Sequence, residues 1–210
     1  MTVICIDGPA GSGKSTVAKA VAARLDLAYL DTGAMYRSVT FAVLRRGMDP
    51  ADADDVAAVA EQVEFDVGPD RVTVEGVDAT TAIRGPEVTR AVSAVASNPR
   101  VRKEMRRRQR EWMASKGGGV AEGRDIGSVV FPDADLKVFL TADAGVRAAR
   151  RAGEVRDLEY ETVAADLARR DALDEGRTDS PTSVAPDAVV IDTTDLDVGG
   201  VVDAVVRLLP

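Results

Sequence analysis

The sequence predicts an α/β fold in which a five-stranded parallel sheet is covered by helices on both faces. Apolar segments of strand length alternate with segments of helical periodicity along the 210 residues. A helix between successive strands brings the chain back to the end of the sheet at which the previous strand began, so that the strands run parallel. The hydrophobic content of 45% is enough to bury one such core.

The predicted strands are short, mostly apolar runs. They cover residues 2–7, 27–30, 120–122, 136–140 and 188–191. Helical periodicity predicts helices over 15–25, from Gly33 through Arg46, and over 52–62, 86–97, 99–115, 143 to about 174, and 198–209. Gly117, Gly118 and Gly119 are predicted to end the helix over 99–115.

Residues 63–85 interrupt this alternation. Two segments of alternating polarity, 63–67 and 71–75, flank Gly68-Pro69-Asp70, which predicts a β-hairpin. Extended chain is expected from there to Gly85. We therefore interpret 63–85 as a β-containing insertion in the α/β fold.

A glycine-rich segment lies between the first predicted strand and the first predicted helix. It matches G-x-x-x-x-G-K-[ST] in the context that a P-loop requires, which predicts a P-loop NTPase with a three-layer fold. Backbone N–H groups of such a loop bind phosphate, Lys14 reaches the β- and γ-phosphates of ATP, and Ser15 ligates Mg²⁺. The candidate ATP-binding residues are Gly8, Pro9, Ala10, Gly11, Ser12, Gly13, Lys14, Ser15 and Thr16.

Several classes of P-loop protein are disfavoured. A GTPase would read guanine with N-K-x-D, but the one asparagine, Asn98, precedes Pro99. The chain has no histidine, which excludes a histidine base and suits phosphoryl transfer, where positioning and charge neutralisation dominate. A net charge of -8 disfavours nucleic acid and anionic membrane as partners. A small-molecule kinase remains.

Arginines concentrate in two later segments. Residues 100–110 carry seven basic side chains on one predicted helix, for which the alternative is a solvated helix face. The second set is Arg147, Arg150, Arg151, Arg156, Arg169, Arg170 and Arg177. Arginines supply bidentate countercharge to phosphates, and the segment 152–158 within the second set could close over ATP and exclude water.

Five segments together resemble bacterial cytidylate kinases, a family of nucleoside monophosphate kinases. They are 6–16 (IDGPAGSGKST), 30–37 (LDTGAMYR), 123–133 (GRDIGSVVFPD), 170–177 (RDALDEGR) and 191–194 (IDTT). The resemblance spans essentially the whole chain, and the second and third segments in combination are highly specific to the family.

The resemblance implies transfer of the ATP γ-phosphate to CMP or dCMP. It also implies a P-loop core (1–30, 86–141 and 182–210), a nucleoside monophosphate-binding region (31–85, with its β-rich insert at 63–85) and a helical lid (142–181). The segment between Arg151 and Glu159 is shorter than the family usually shows.

The resemblance also assigns residues. Those implied to bind the acceptor nucleotide are Thr32, Arg37, Ser93, Arg102, Arg124, Asp125, Arg170, Asp174 and Arg177. Candidate catalytic residues are Lys14, Arg37, Arg124, Arg147, Arg150 and Arg151. The Asp125 carboxylate can accept a hydrogen bond from the cytosine amine but cannot donate one to a uracil carbonyl, which favours cytosine.

Two other functions stay open at this stage. One is a P-loop kinase for another small acceptor such as UMP, and the other is a nucleic-acid-stimulated ATPase that uses the helix over 100–110. The expected ligands are ATP, CMP, dCMP and Mg²⁺, with no nucleic acid or membrane partner. The single cysteine, Cys5, agrees with a reducing compartment, so a cytoplasmic protein is expected. The sequence shows no sign of an extensive exposed apolar stripe, so a monomer is expected.

Overall fold

Strands and helices alternate along the chain, as the sequence predicts. The computed structural model describes residues 1–154, 159–177, 179 and 182–209. Contacts divide the chain into two compact units. The first unit comprises Met1–Ala28 with Gly117–Pro210, and the second comprises Tyr29–Lys116.

The elements are numbered in chain order. The strands are β1 Thr2–Asp7, β2 Tyr29–Asp31, β3 Phe65–Val67, β4 Val72–Val74, β5 Val77–Asp78, β6 Gly118–Gly123, β7 Leu136–Thr141 and β8 Val189–Asp192. The helices are α1 Lys14–Leu25, α2 Thr32–Arg45, α3 Ala53–Gln62, α4 Pro86–Ser97, α5 Pro99–Lys116, α6 Ala144–Glu154, α7 Tyr160–Glu175 and α8 Val198–Val206. Across the described ranges, no helix is both long enough and apolar enough to cross a membrane.

The main sheet has five strands in the order β2-β6-β1-β7-β8. Strand β1 pairs in parallel with β6 and β7, and β7 pairs in parallel with β8. The predicted five-stranded parallel sheet is therefore confirmed. In such sheets ligands bind beyond the carboxyl ends of the strands, which here bring Asp7 next to Gly123 and Phe139.

The core of the first unit forms on both sides of β1. Ile4, Cys5 and Ile6 are fully buried, because a central strand has neighbours on both edges and helices over both faces. Helix α1 packs against β6 and α8. It buries Val17, Ala18, Val21 and Ala22, and α8 buries three valines. This packing fixes the end of β1 and the start of α1, between which the glycine-rich segment lies.

The second unit contains an antiparallel sheet in the order β3-β4-β5. Helix α2 packs against α4, and α3 packs against α5. The predicted hairpin is confirmed, and β5 lies in the extended chain expected after it, but the chain does not stay extended up to Gly85. Ala82–Arg84 form a short 3-10 helix, because the chain has to turn there to bury Ile83 completely.

Two helix ends differ from the sequence-based expectation. Helix α5 ends before Gly117, but Gly118 and Gly119 belong to β6 and pair with Thr2 and Val3. A Cβ added at Gly118 would lie 2.5 Å from the Thr2 carbonyl oxygen, so this glycine permits close strand pairing instead of ending the helix. Helix α8 ends at Val206 rather than at 209, since Val205 is the last side chain that it buries.

The region after β7 is helical, as predicted, in the part that the structure describes. It forms α6 and α7. Part of the segment 152–158, which is predicted to close over ATP, lies outside the described residues, namely 155–158 with Arg156. The two structural units group α4 and α5 with the region around the antiparallel sheet. The functional partition into core, acceptor region and lid stays a prediction.

We predict that Gly118→Ala destabilises the protein by about 3 kcal/mol or more, because the new Cβ adds a backbone clash to a strained positive φ of 127°. Gly47→Ala is the matched control, since Gly47 also has a positive φ but nothing within 4 Å of an added Cβ. We expect it to cost about 1 kcal/mol. Urea unfolding measures both, and equal losses would contradict the close-approach explanation.

Candidate active site

The glycine-rich loop connects β1 to α1, and its backbone adopts conformations that favour glycine. Gly13, which precedes the first residue of α1, has a φ of 87°, and Gly11 has a φ of 74°. A Cβ added at Gly11 would lie 2.8 Å from the Arg147 carbonyl oxygen. The loop therefore ends at a helix N-terminus whose first N–H groups have no partner within the helix, which is the arrangement that binds phosphate.

Lys14 is buried behind this loop. Its Nζ donates to the Pro9 carbonyl at 2.6 Å and lies 3.5 Å from Ser12 Oγ. Burial, together with the nearby Arg124 guanidinium, lowers the pKa of Lys14 to about 7, while neighbouring carboxylates oppose the shift. A phosphate anion beside Lys14 would favour its charged form.

A buried carboxylate at the end of β1 holds the loop that follows β6. Asp7 accepts hydrogen bonds from the backbone N–H groups of Ile126 at 2.9 Å and Gly127 at 2.8 Å. These bonds fix the segment that carries Arg124 and Asp125. Sequence reasoning missed Asp7, although an aspartate that ends an apolar strand at the phosphate loop is a recognisable signal.

Four of the residues implied to bind the acceptor form one cluster in the first unit. Arg124 Nε donates to one carboxylate oxygen of Asp174 at 2.9 Å, and Arg177 pairs with the other oxygen. The pKa of Arg170 is lowered by burial and by the positive charge of Arg124, with a further contribution from Arg151. Three of these four residues are arginines and one is an aspartate, so the cluster is suited to an anion.

Two of the candidate lid arginines are held by hydrogen bonds, Arg147 to the phosphate loop and Arg150 to the segment after β8. Arg147 Nη1 donates to the Ala10 carbonyl at 2.9 Å and pairs with Asp171. Arg150 donates to Thr193 Oγ1 at 2.9 Å and to the Thr193 carbonyl at 2.6 Å. Sequence reasoning missed Asp171 and Thr193, both of which lie in the quoted family segments.

In the second unit, an aspartate caps the helix that begins with Thr32. Asp31 Oδ1 accepts from the Ala34 N–H at 2.8 Å, and Oδ2 accepts from Arg84 Nη2 at 2.8 Å. Asp31 is therefore the N-cap of α2, and Thr32 is buried in the first turn. Arg37 Nη1, on the same helix, donates to Thr89 Oγ1 at 3.2 Å.

Two further candidate residues are buried on neighbouring helices of the second unit. Arg102 on α5 is only 1% exposed, and its Nη1 donates to the Ala96 carbonyl at 3.3 Å. Its guanidinium lies 5.7 Å from the centre of the Tyr36 ring, within the range of a cation–π interaction. Ser93 on α4 is also buried.

Other arginines of α5 have structural partners. Arg100 binds Asp54 and Glu61, both in α3, and Arg108 donates to the Val63 carbonyl at 2.7 Å. Arg107 pairs with glutamates on its own helix. These contacts explain much of the basic character of residues 100–110 without a nucleic-acid partner.

Ser15 and Thr16 lie exposed in the first turn of α1. Over the ranges that the structure describes, no three His, Cys, Asp or Glu side chains come together to bind a metal ion. A metal site built from protein carboxylates is therefore not found in this part of the chain.

Comparison with known proteins shows the family. The family model described as Cytidylate kinase matches residues 4–210. The chain belongs to the cytidylate kinase family. The reaction of cytidylate kinases is ATP-dependent phosphorylation of CMP, so the predictions of a P-loop kinase and of a CMP phosphotransferase are confirmed.

Relatives named as cytidylate kinases match over nearly their whole length. The one from Mycobacterium avium (strain 104) is 52% identical over 210 residues, covering 96% of this chain and 92% of the relative. The one from Streptomyces griseus subsp. griseus is 47% identical over 212 residues, covering 99% and 92%. A solved sugar kinase structure from Janibacter sp. HTCC2649 aligns with a TM-score of 0.51 at 16% identity, covering 99% of this chain and 93% of that one, and supports the fold alone.

The pKa of Asp7 predicts how the free energy of unfolding depends on pH. Burial raises its pKa from 3.8 to about 6, so between these values the folded protein keeps a proton that the unfolded chain has lost. The contribution of this carboxyl group to stability is therefore greatest below pH 3.8 and is lost as the pH rises through 6. Between about pH 4 and pH 7 we expect the parent to lose about 3 kcal/mol relative to Asp7→Asn.

Urea unfolding across this pH range measures the difference between the two proteins. Asp203→Asn, at an exposed carboxylate on α8, provides the baseline. A difference between parent and Asp7→Asn that stays constant with pH would contradict the raised pKa.

Proposed function

We propose that this chain transfers the γ-phosphate of ATP to both CMP and dCMP, and that the residues described above hold the two nucleotides. The observation that supports this most strongly is the surplus of positive charge around the phosphate loop and the Arg124 cluster. Arg124 and Arg177 are mostly buried and share one carboxylate, that of Asp174, so that part of the cost of burying positive charge remains. Phosphate anions would relieve that cost.

On the donor side, the loop N–H groups and Lys14 bind the ATP phosphates. The helix N-terminus adds a partial positive charge, so that the loop favours anions even without its lysine. Arg147, Arg150 and Arg151 neutralise the charge that spreads over the transferred group. Because Arg147 and Arg150 are already held by backbone carbonyls, little reorganisation is needed when ATP binds.

Ser15 fits a magnesium site of the kind found in P-loop kinases. Its hydroxyl is exposed at the start of α1, and Mg²⁺ prefers to keep several waters and substrate phosphates as ligands instead of a protein cage. When held by Ser15, Mg²⁺ would offset the negative charge of the ATP phosphates. The absence of a carboxylate cluster over the described residues is compatible with such a site.

On the acceptor side, we assign Arg37, Arg124 and Arg177 to the phosphate of CMP. Arg170 and Asp174 are assigned to the ribose, and Thr32, Ser93, Arg102 and Asp125 complete the acceptor residues. In the structure Asp174 is already paired with Arg124 and Arg177, which holds the two guanidinium groups close to each other before the nucleotide binds. Such preorganisation favours binding of a phosphate.

The chemistry needs no general base. The acceptor phosphate is already ionised near neutral pH, so that one of its oxygens can attack the γ-phosphorus in line with the departing ADP oxygen. The bond from the γ-phosphorus to the ADP oxygen breaks as the bond to the CMP oxygen forms. The products are ADP and CDP or dCDP.

The acceptor assay tests the proposed function. Purified protein with Mg²⁺ and ATP is offered CMP, dCMP, UMP and AMP, and the nucleotide products are separated and quantified. We expect CDP and dCDP to form together with an equal amount of ADP. Failure to convert any nucleoside monophosphate, or ADP release without a second product, would contradict the proposal.

We infer that the protein acts as a cytoplasmic monomer. The single cysteine supports this inference, because the chain has no second cysteine for an internal disulfide and Cys5 is buried away from any other chain.

Asp125 is expected to read the cytosine base. Asp125→Ala removes a charged hydrogen-bond acceptor, and we expect kcat/KM for CMP to fall by roughly 10- to 100-fold. Asp125→Asn introduces an N–H₂ group that can donate to a uracil carbonyl, so the ratio of CMP to UMP turnover should fall. ATP binding should stay close to that of the parent in both variants. An unchanged CMP to UMP ratio would show that Asp125 does not contact the base.

A further inference from the structure

Both backbone polar groups of Ala10, in the phosphate loop, are hydrogen-bonded to side chains. Its N–H donates to Asp171 Oδ1 at 3.0 Å, and its carbonyl accepts from Arg147 Nη1 at 2.9 Å. The same Nη1 pairs with Asp171 Oδ2, which closes a triangle between the loop, α6 and α7. Both side chains of the pair are mostly buried, at 16% exposure for Arg147 and 12% for Asp171.

Apolar packing supports this triangle. The Ala10 methyl group belongs to a buried cluster with Ala148 of α6 and with Val163 and Leu167 of α7. The two helices therefore reach the loop through side-chain packing as well as through hydrogen bonds. The position of the Ala10 backbone is fixed by two helices, α6 and α7, that are far from the loop in the sequence.

The hydrogen bonds leave one part of Arg147 available. Its Nε donates to the Ala142 carbonyl at 3.2 Å, and Nη1 is used by Ala10 and Asp171. Within the described residues, Nη2 has no protein acceptor, and its two N–H bonds can serve a ligand. A guanidinium group held at two of its three nitrogens has a fixed plane, which lowers the entropy cost of binding a phosphate.

The charge of Asp171 argues against a direct contact with substrate. A carboxylate beside a triphosphate site would repel the ligand unless a cation neutralised it. Arg147 provides that neutralisation, and the contact to Ala10 uses the remaining carboxylate oxygen. The role that fits these contacts is to hold other groups in place.

We propose that Asp171 is a positioning residue for phosphoryl transfer, because it holds the Ala10 amide and the Arg147 guanidinium in one arrangement and leaves Arg147 Nη2 for the ATP phosphates. The inference rests on the proposed function and extends it to a residue for which the sequence analysis found no role. Arg147 is then a fixed part of the donor site, and Asp171 acts through it.

The test is Asp171→Asn. Asparagine keeps an oxygen for the Ala10 N–H but turns an N–H₂ group toward Arg147, so the guanidinium loses its partner. We expect kcat to fall by roughly 10- to 100-fold and KM for ATP to rise several-fold, because small misplacements of a catalytic group are costly. KM for CMP should stay within about twofold of the parent, since the acceptor residues keep their contacts.

The matched control is Asp166→Asn on the same helix. Asp166 makes an exposed ion pair with Arg169 at 3.5 Å, and surface pairs of this kind contribute little. We expect its kinetics and its thermal midpoint to equal those of the parent. Equal kinetics for Asp171→Asn and Asp166→Asn would overturn the inference.

A double-mutant cycle separates positioning from a merely structural role. If Asp171 acts through Arg147, then Asp171→Asn should cost less than about twofold in kcat when Arg147 is already glutamine. The affinity for a fluorescent ATP analogue, measured without turnover, should behave in the same way: Asp171→Asn should weaken binding in the parent but not when Arg147 is already glutamine. A loss of the same size with and without Arg147 would also overturn the inference.

Arg147→Lys is the second variant if Asp171→Asn fails to fold. It keeps a positive charge beside Asp171, but one ammonium group cannot both replace the two held nitrogens and reach a phosphate. We expect a loss in kcat similar to that of Asp171→Asn, and parent-like kinetics would contradict the inference. A parent protein that does not phosphorylate CMP would instead contradict the proposed function.

Discussion

The site depends on holding several cations close together in the folded protein before any phosphate is present. Lys14 is buried near Arg124, and Arg170 is buried near Arg124 and Arg151. Burial lowers the pKa of both Lys14 and Arg170, and the neighbouring arginines lower it further. The fold offsets this repulsion only in part, through Asp174 and other carboxylates. The remaining positive charge is what suits the site to two phosphorylated nucleotides.

Buried aspartates keep this arrangement in place. Asp7 binds two backbone N–H groups of the loop that carries Arg124 and Asp125, and Asp171 binds the Ala10 N–H and Arg147. In each case a carboxylate joins segments that are more than one hundred residues apart in the sequence. The rigid parallel sheet and the helices on it supply the frame, and these carboxylates connect the functional loops to it.

The sequence predicted the sheet, the phosphate loop and the insertion because each has a local signal: an apolar run, a glycine spacing or an alternating pattern. It did not predict Asp7 or Asp171 as anchors, since their partners are backbone groups brought together only by the tertiary fold. It also misread Gly118, because a glycine after a helix and a glycine in a tightly paired strand look the same locally. The basic residues on α5 could not be sorted from sequence, as Arg102 is buried whereas Arg100 and Arg107 make exposed ion pairs.

The central claim is that buried positive charge holds the phosphate of the acceptor. Titration calorimetry with CMP and with cytidine, which has the same base and ribose without the phosphate, tests it most directly. The account predicts that CMP binds at least about 100-fold more tightly, since charge-assisted hydrogen bonds to one phosphate are worth about 3 kcal/mol or more. It also predicts that added salt reduces the difference in affinity between CMP and cytidine. Equal affinity for CMP and cytidine would contradict the account.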